Sequence, residues 1–330
     1  MPRNRTARVE EVKVRLTARL TQGLHRPGDR FPSAREVAAR FGVSYQTAHR
    51  LLAELTEEGL IERRAGSGTF APGGATFYDG AHLAFSPRAQ REGSFGARLL
   101  DKLRKKLAGS GVKTRVEWVE DGAPWKPRRG WFPVLWEVAW PTDTRRPALL
   151  LNERPAPGLA ASWLDSVSVD DFSGGAGAAQ LLLRAASSAA SFAVVAGPEH
   201  DARAQLRVSG FRSICSSASV IAANGWFFDD GFRVAAQALD AGRDGIFCAN
   251  DRLAAAVRAF ALESGRVLPP MVGFDDAPVA EEIGLTTMAI PWDELVAGAT
   301  SLIKRRVGGD ASAGHQLLLS PRPVWRKSSE

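Results

Sequence analysis

Along the first seventy residues, apolar positions recur at helical spacing and then switch to alternation. Val9, Val12, Leu16 and Leu20 fall on one face of RVEEVKVRLTARLTQ with charges between them, which predicts an amphipathic helix over 8–22 ending near Gly23. RPGDRFPSAREVAARFG follows with a Pro27-Gly28 turn, Ser33 as an N-cap with Glu36 three residues on, and a short helix stopped at Gly42. Ser44 caps the next helix, whose inner face is Ala48, Leu51, Leu52 and Leu55. GLIERRAGSGTF then alternates apolar and charged residues and bends through Gly66 and Gly68, as a two-stranded hairpin does. A winged helix-turn-helix accounts for all these parts; helix pairs of this kind also occur in proteins that never touch DNA, but the hairpin sets Arg63 and Arg64 where a phosphate backbone would run beside a major-groove helix.

The stretch APGGATFYDG has no period, and its small, Gly-rich composition marks 72–80 as a linker between a domain at 1–71 and one at 81–330. Beyond it short apolar runs (AHLAFS, KTRVEWVE, SFAVVAG, SVIAAN, GIFCAN, MVGFDD) alternate with helical ones. That alternation predicts an α/β body of parallel sheets with right-handed crossovers. Between KTRVEWVE and ALLLNERP the pattern breaks: EDGAPWKPRRGWFPVLWEVAWPTDTRRP has five prolines and four tryptophans, so one crossover helix is shortened or missing. WFPVLWEVAW is open to three readings: a remodelled strand, a cover on a cleft, or an exposed dimer surface.

Ligands of parallel sheets bind at the carboxyl ends of strands. The residues just past each strand are Ser86, Asn152, Asp170 or Asp171, Asn250 and Asp275, a rim of short hydrogen-bonding side chains suited to a polyhydroxylated ligand. The same residue types are preferred helix N-caps, and Asn250-Asp251 directly precedes a helix, so capping stands beside ligand binding for each of them.

Composition narrows the classes. The chain is 45% hydrophobic and 24% charged, which fits an ordinary folded protein and excludes a disordered one. No apolar run approaches the ~20 residues of a bilayer span and the N-terminus has no signal-peptide core, so the expected address is cytoplasmic, without membrane contact. Cys215 and Cys248 lie far apart without metal or redox spacing, and no disulfide, metal or cofactor is expected. The net charge is +7, and residues 1–72 hold thirteen Arg/Lys against eight Asp/Glu, a bias that suggests a polyanion partner, with solubility alone as the other use of such charge. With no Schiff-base lysine context, G-x-S-x-G, H-E-x-x-H or P-loop, no catalytic residue is assigned.

FPSAREVAARFGVSYQTAHRLLAELTEEGLIERRAGSGTF resembles the DNA-binding domain of the GntR family of bacterial repressors over about residues 8–71. The resemblance implies that Arg35, Ser44, Thr47 and the wing residues Gly66, Ser67, Gly68 and Thr69 touch double-stranded DNA, and that a homodimer binds a palindromic operator. Tyr45, Gln46, His49, Arg50, Arg63 and Arg64 complete the candidate interface. Many relatives have Arg where this chain has Tyr45 and His49; Arg reads guanine through two hydrogen bonds, so an altered base preference is expected, with Arg50 supplying part of the charge.

From about 166 to 327 the chain resembles the effector domain of the LacI/GalR family, which shares its two-lobed fold with periplasmic sugar-binding proteins. The markers are Asn250-Asp251, Gly273-Phe274-Asp275-Asp276, Leu285-Thr286-Thr287, and Arg207 before Gly210-Phe211. That resemblance implies effector contacts from Arg207, Asn250 and Asp275, with the Trp226 ring stacking on the effector. Ser86 and Asn152 are the corresponding candidates in the first half, where truncation of the lobe is expected. The implied protein is a regulator, a repressor, controlled by a small molecule, with carbohydrate the leading class. The alternative is a DNA-binding regulator whose sensor has degenerated or answers to a protein partner.

Overall fold

The computed structural model describes residues 9–17, 29–57, 60–64, 66–71, 78–140, 146–155, 163–185, 191–240 and 243–329. The expected Pro27-Gly28 turn, the first helix beyond 17 and linker positions 72–77 lie outside these residues.

Residues 9–17 form α1, followed by β1 (Arg30–Phe31), α2 (Ala34–Phe41), α3 (Tyr45–Glu57), β2 (Glu62–Arg64) and β3 (Gly68–Phe70). The cap signals act as expected. The Ser33 N–H donates to Glu36 Oε2 at 2.7 Å and the Glu36 N–H to Ser33 Oγ at 3.3 Å, a reciprocal capping box. Ser44 Oγ accepts from the Thr47 N–H at 3.1 Å and fixes the start of α3. Val12, Leu16, Val37, Ala48, Leu51, Leu52 and Leu55 then bury together with Phe31, Leu60 and Ile61, giving this domain a core of its own. The order of its small sheet is β1-β3-β2. Strand β1 has no counterpart in the hydropathy pattern, because two residues carry no alternation to detect; its Phe31 is the buried member.

Two units divide the chain: Met1–Ser168 with Val296–Leu317, and Val169–Leu295 with Leu318–Glu330. In the first, β4 (Ala81–Phe85), β5 (Thr114–Trp118), β6 (Phe132–Trp136), β7 (Ala148–Leu151), β8 (Leu164–Val169) and β14 (Gln316–Leu319) order as β14-β8-β7-β6-β4-β5. Strands β4 to β8 run parallel, with Leu83 opposite both Val116 and Val134. Helix α4 (Phe95–Gly109) makes the crossover from β4 to β5, but residues 119–131, from β5 to β6, contain no helix. Pro124 and Pro127 forbid one there. Instead Val119, Trp125, Val138 and Trp140 cover Ala84, Leu135 and Leu150, so bulky side chains on coil replace the absent helix layer. Truncation therefore falls on the helices and leaves six strands in place. WFPVLWEVAW is a remodelled strand: Phe132 to Trp136 are all buried in β6.

The second unit orders its strands as β10-β9-β11-β12-β13-β15, namely β9 (Phe192–Ala196), β10 (Ser219–Ala222), β11 (Gly245–Cys248), β12 (Met271–Asp275), β13 (Thr286–Ala289) and β15 (Arg322–Val324). All pair in parallel except β15, which is antiparallel to β13. The crossovers are α5 (Asp171–Ala185), α6 (Ala202–Ile214), α7 (Phe228–Ala238), α8 (Asp251–Ser264) and the short α9 (Pro278–Glu282), with α10 (Trp292–Val307) leading back into the first unit. Helices α5 and α6 approach very closely: a Cβ on Gly175 would strike the Arg207 carbonyl, and one on Gly210 the Phe172 carbonyl. Gly175 thus seats α6, and with it Arg207, while Gly174 makes room for the Phe274 ring and Gly177 for the Met288 side chain.

Candidate functional site

The N-terminal domain presents one polar face. Burying Ala48, Leu51, Leu52 and Leu55 turns Ser44, Tyr45, Gln46, His49 and Arg50 outward, with Tyr45 53% exposed; Thr47 is half-buried. The wing is tied to this helix by Arg63, whose two guanidinium nitrogens lie 3.3 Å from His49 Nε2. A guanidinium only donates, so Nε2 accepts and the imidazole proton sits on Nδ1. Arg64 reaches Glu62 at 3.3 Å and lies over the Phe70 ring at 4.7 Å, while Arg50 pairs with Glu54 at 3.6 Å. The Ser67 N–H closes the wing turn on the Arg64 carbonyl, with Gly66 at φ 72°. Arg35 on α2, Gly66 and Ser67 are exposed, and Gly68 is half-buried. Thr69 departs from expectation: paired on both sides within the small sheet, it is only 6% exposed, and its side chain is not offered to a partner.

In the second unit Arg207 is 4% exposed, which rules out a solvated helix residue. Its Nε donates to Asp171 at 2.7 Å, and one terminal nitrogen donates to the Ala249 carbonyl at 2.6 Å and to Asp275 at 3.4 Å. The guanidinium lies over Phe274 at 3.7 Å and over Trp226 at 5.5 Å. One cation thus faces two carboxylates, and burial lifts the carboxyls of both Asp171 and Asp275 above their usual range despite its attraction. Such a cluster disfavours an anionic ligand and offers acceptors to hydroxyl donors; Asp275, at the longer distance, is the less committed acceptor.

Trp226 is half-buried and covers the end of β9, where a Cβ on Gly197 would run into its ring. Its indole N–H donates to Asp201 at 3.0 Å, and Arg203 grips the same carboxylate at 2.8 Å. Burial opposes ionisation of Asp201, but the bonds from Arg203 and Trp226 outweigh it and hold this carboxyl well below the usual range. Asn250 caps α8 by accepting from the Leu253 N–H at 2.8 Å, and its amide donates to the Trp226 carbonyl at 2.9 Å. The capping role weighed for Asn250 is therefore present, and the same side chain also positions the tryptophan. In the first unit, Ser86 is buried and accepts from the Arg88 N–H at 3.4 Å, and Asn152 is buried just past β7. Arg88 pairs with Glu137 at 3.1 Å.

Among the described residues the non-glycine positions with positive φ are Glu137 (52°), Asn152 (57°), Asp275 (103°) and Asp276 (52°). All sit at the carboxyl ends of strands β6, β7 and β12. Backbone strain of this kind clusters where side chains are held for function, and it marks the edge that the sequence rule selects.

Residues 155–329 match the family described as "Periplasmic binding protein-like domain", more than half of the chain. The chain belongs to this family. Residues 8–71 match "Bacterial regulatory proteins, gntR family", which makes the N-terminal domain of this periplasmic-binding-protein-like chain a GntR-type helix-turn-helix. It is similar to the histidine utilization repressor of Klebsiella aerogenes, 48% identical over 61 residues, 18% of this chain and 25% of the repressor. The chain thus spans about a quarter of that relative's length. Among solved structures, a LacI family transcriptional regulator from Enterococcus faecium with bound ribose aligns with a TM-score of 0.64 at 21% identity, covering 75% of this chain and 98% of that one. A complex of the transcriptional regulator CelR with cellobiose aligns at 0.63 with 20% identity, covering 90% and 100%.

Within this periplasmic-binding-protein-like chain, sequence reasoning missed Asp201 and the role of Asp251. The Asp251 carboxylate accepts from the Thr287 hydroxyl at 2.6 Å and the Ala277 N–H at 2.7 Å, and burial, then the neighbouring Asp275, pushes its carboxyl up to about 8. The pairing of Asn250-Asp251 with Leu285-Thr286-Thr287 was the available signal, since both motifs serve this one carboxyl. Among the described residues no helix is long and apolar enough to cross a membrane.

Proposed function

We propose that this protein is a transcription regulator, a repressor acting as a cytoplasmic homodimer on a palindromic duplex, whose DNA affinity is set by a small carbohydrate. The observation that carries the DNA reading is the exposed α3 face at 44–50, coupled to the wing through Arg63 and His49. Arg207, Asp275 and Trp226 form the effector-contacting set of the second unit, where Asn250 orients Trp226; Ser86 and Asn152 are the candidates of the first unit. Asp171 and Asp275, two buried carboxyls raised above their usual range around one guanidinium, support a hydroxyl-rich, uncharged ligand, and the ribose and cellobiose bound to structural neighbours support the same class. Effector binding then alters DNA affinity by linkage, with no catalytic step.

A second reading is that the sensor answers to a protein partner. The crossover layer replaced by coil at 119–131 and the use of the Ser86 hydroxyl as a cap favour it. The test is binding of the purified full chain to DNA upstream of its own coding sequence, repeated across a sugar panel. Release by one sugar supports the sensor; DNA binding that no sugar alters removes the carbohydrate claim, and no DNA binding removes the regulator itself.

A further inference from the structure

The segment that departs most from regular α/β alternation, residues 119–131, is firmly held. The Arg128 N–H donates to His82 Nδ1 at 3.2 Å, and the Trp131 N–H closes a turn on the Arg128 carbonyl at 3.1 Å. The Asp79 N–H donates to the Gly130 carbonyl at 2.7 Å, and the Trp125 ring packs against His82 at 5.2 Å and Trp140 at 6.1 Å. On this fixed backbone the side chains of Lys126, Arg128 and Arg129 are exposed, and none has a carboxylate partner among the described residues. Because β4 to β8 are parallel, the turn before β6 shares one edge of the sheet with Lys113, before β5, and Arg146, before β7.

The charge of the chain is divided in the same sense. Residues 81–168 and 296–317 hold eighteen Lys/Arg against ten Asp/Glu, whereas residues 169–295 and 318–330 hold twelve against seventeen. The basic bias of the N-terminal domain thus continues into the first unit's sheet and reverses in the second. Proximity follows from the covalent chain: Ala71 ends the wing, Tyr78 lies next to the Asp79 that binds this turn, and seven residues span at most about 25 Å. That is less than one turn of B-DNA, about 34 Å. Arg63 and Arg64 of the wing and Arg128 and Arg129 of the turn also line one open cavity of about 900 Å³.

We propose that Lys126, Arg128 and Arg129 form a second, sequence-independent contact to DNA phosphates beside the segment gripped by the winged helix, an assignment that rests on the DNA-binding reading. Each phosphate neutralised releases counterions, so it steepens the fall of affinity with salt by about 0.9 in log–log slope. The anchoring bond of Arg128 uses its backbone, so alanine at the three positions leaves the turn intact.

The experiment is fluorescence anisotropy of the full chain between about 50 and 200 mM salt, on a duplex from upstream of its own coding sequence and on an unrelated duplex of equal length. Wild type is compared with the Lys126→Ala/Arg128→Ala/Arg129→Ala variant and with a charge-matched control, Arg212→Ala/Arg233→Ala/Arg266→Ala, in the second unit. The turn variant should lose about 2–3 in slope and roughly tenfold or more in low-salt affinity, equally on both duplexes, while the control keeps the wild-type slope. Wild-type binding with an unchanged slope in the turn variant, or an equal loss in the control, overturns the proposal and leaves the regulator reading standing. Failure of wild type to bind any duplex overturns both.

Discussion

Replacing Arg207 by methionine keeps much of its volume and removes the guanidinium that faces Asp171 and Asp275. The structure sets the scale. The 2.7 Å bond to Asp171 and the 2.6 Å bond to the Ala249 carbonyl are both lost, along with the cation over Phe274, and two carboxyls remain in a site that is almost dry. Removing one partner of a buried pair costs about 3–5 kcal/mol, because the other is left unpaired. The carboxyls of Asp171 and Asp275 already stand above their usual range and rise further without the cation. For a carboxyl whose folded value is raised, the fold prefers the protonated form, so stability is present below the unfolded value and is lost as pH rises. The penalty of Arg207→Met should therefore be larger at pH 8 than at pH 5, with Asp171→Asn added in the same chain recovering part of it. Amide exchange in peptides covering β11 and β12 measures this locally, and at about 1.4 kcal/mol per tenfold it should accelerate by two to three orders of magnitude. Exchange within about threefold of wild type at both pH values, on the order of 0.6 kcal/mol, would refute the reasoning that Arg207 balances buried charge.

Asp251, raised to about 8, predicts that wild-type stability of the second unit declines between about pH 4 and pH 8 and that Asp251→Asn flattens the decline; urea unfolding across that range checks it. Asp165 and Arg306 form a buried pair at 2.7 and 3.0 Å that fastens α10 to β8. Asp165→Ala should cost about 3–5 kcal/mol, with Arg306→Met added to it restoring most of the loss, read by denaturant unfolding of the full chain. Ser33→Ala should remove about 1 kcal/mol from the N-terminal domain through the capping box, seen as faster amide exchange in α2 without a change in β9 to β12.

Elements defined by local rules were legible in the chain. The four inner residues of α3, the caps at Ser33 and Asn250, and the alternation of strand and helix beyond residue 81 all depend on neighbours within a few positions, which periodicity records. What was not legible depends on distance. Arg207 meets Asp171 across 36 positions and Arg306 meets Asp165 across 141, and no local pattern announces either pair. Thr69 looked like any wing residue because its burial comes from β1, a strand too short to leave a pattern. The proline- and tryptophan-rich segment was recognisable as irregular, yet that Trp125 and Trp140 take the place of a helix requires knowing which sheet face is otherwise bare.

The central claim is that one chain couples a DNA-reading face to a sugar-binding cluster. Calorimetric titration of the full chain with the sugar that releases DNA, carried out with and without saturating duplex, tests it most directly. Linkage requires the duplex to weaken sugar affinity by the same factor by which the sugar weakens DNA binding. A matching factor supports the account, and equal sugar affinity in the two titrations would contradict it.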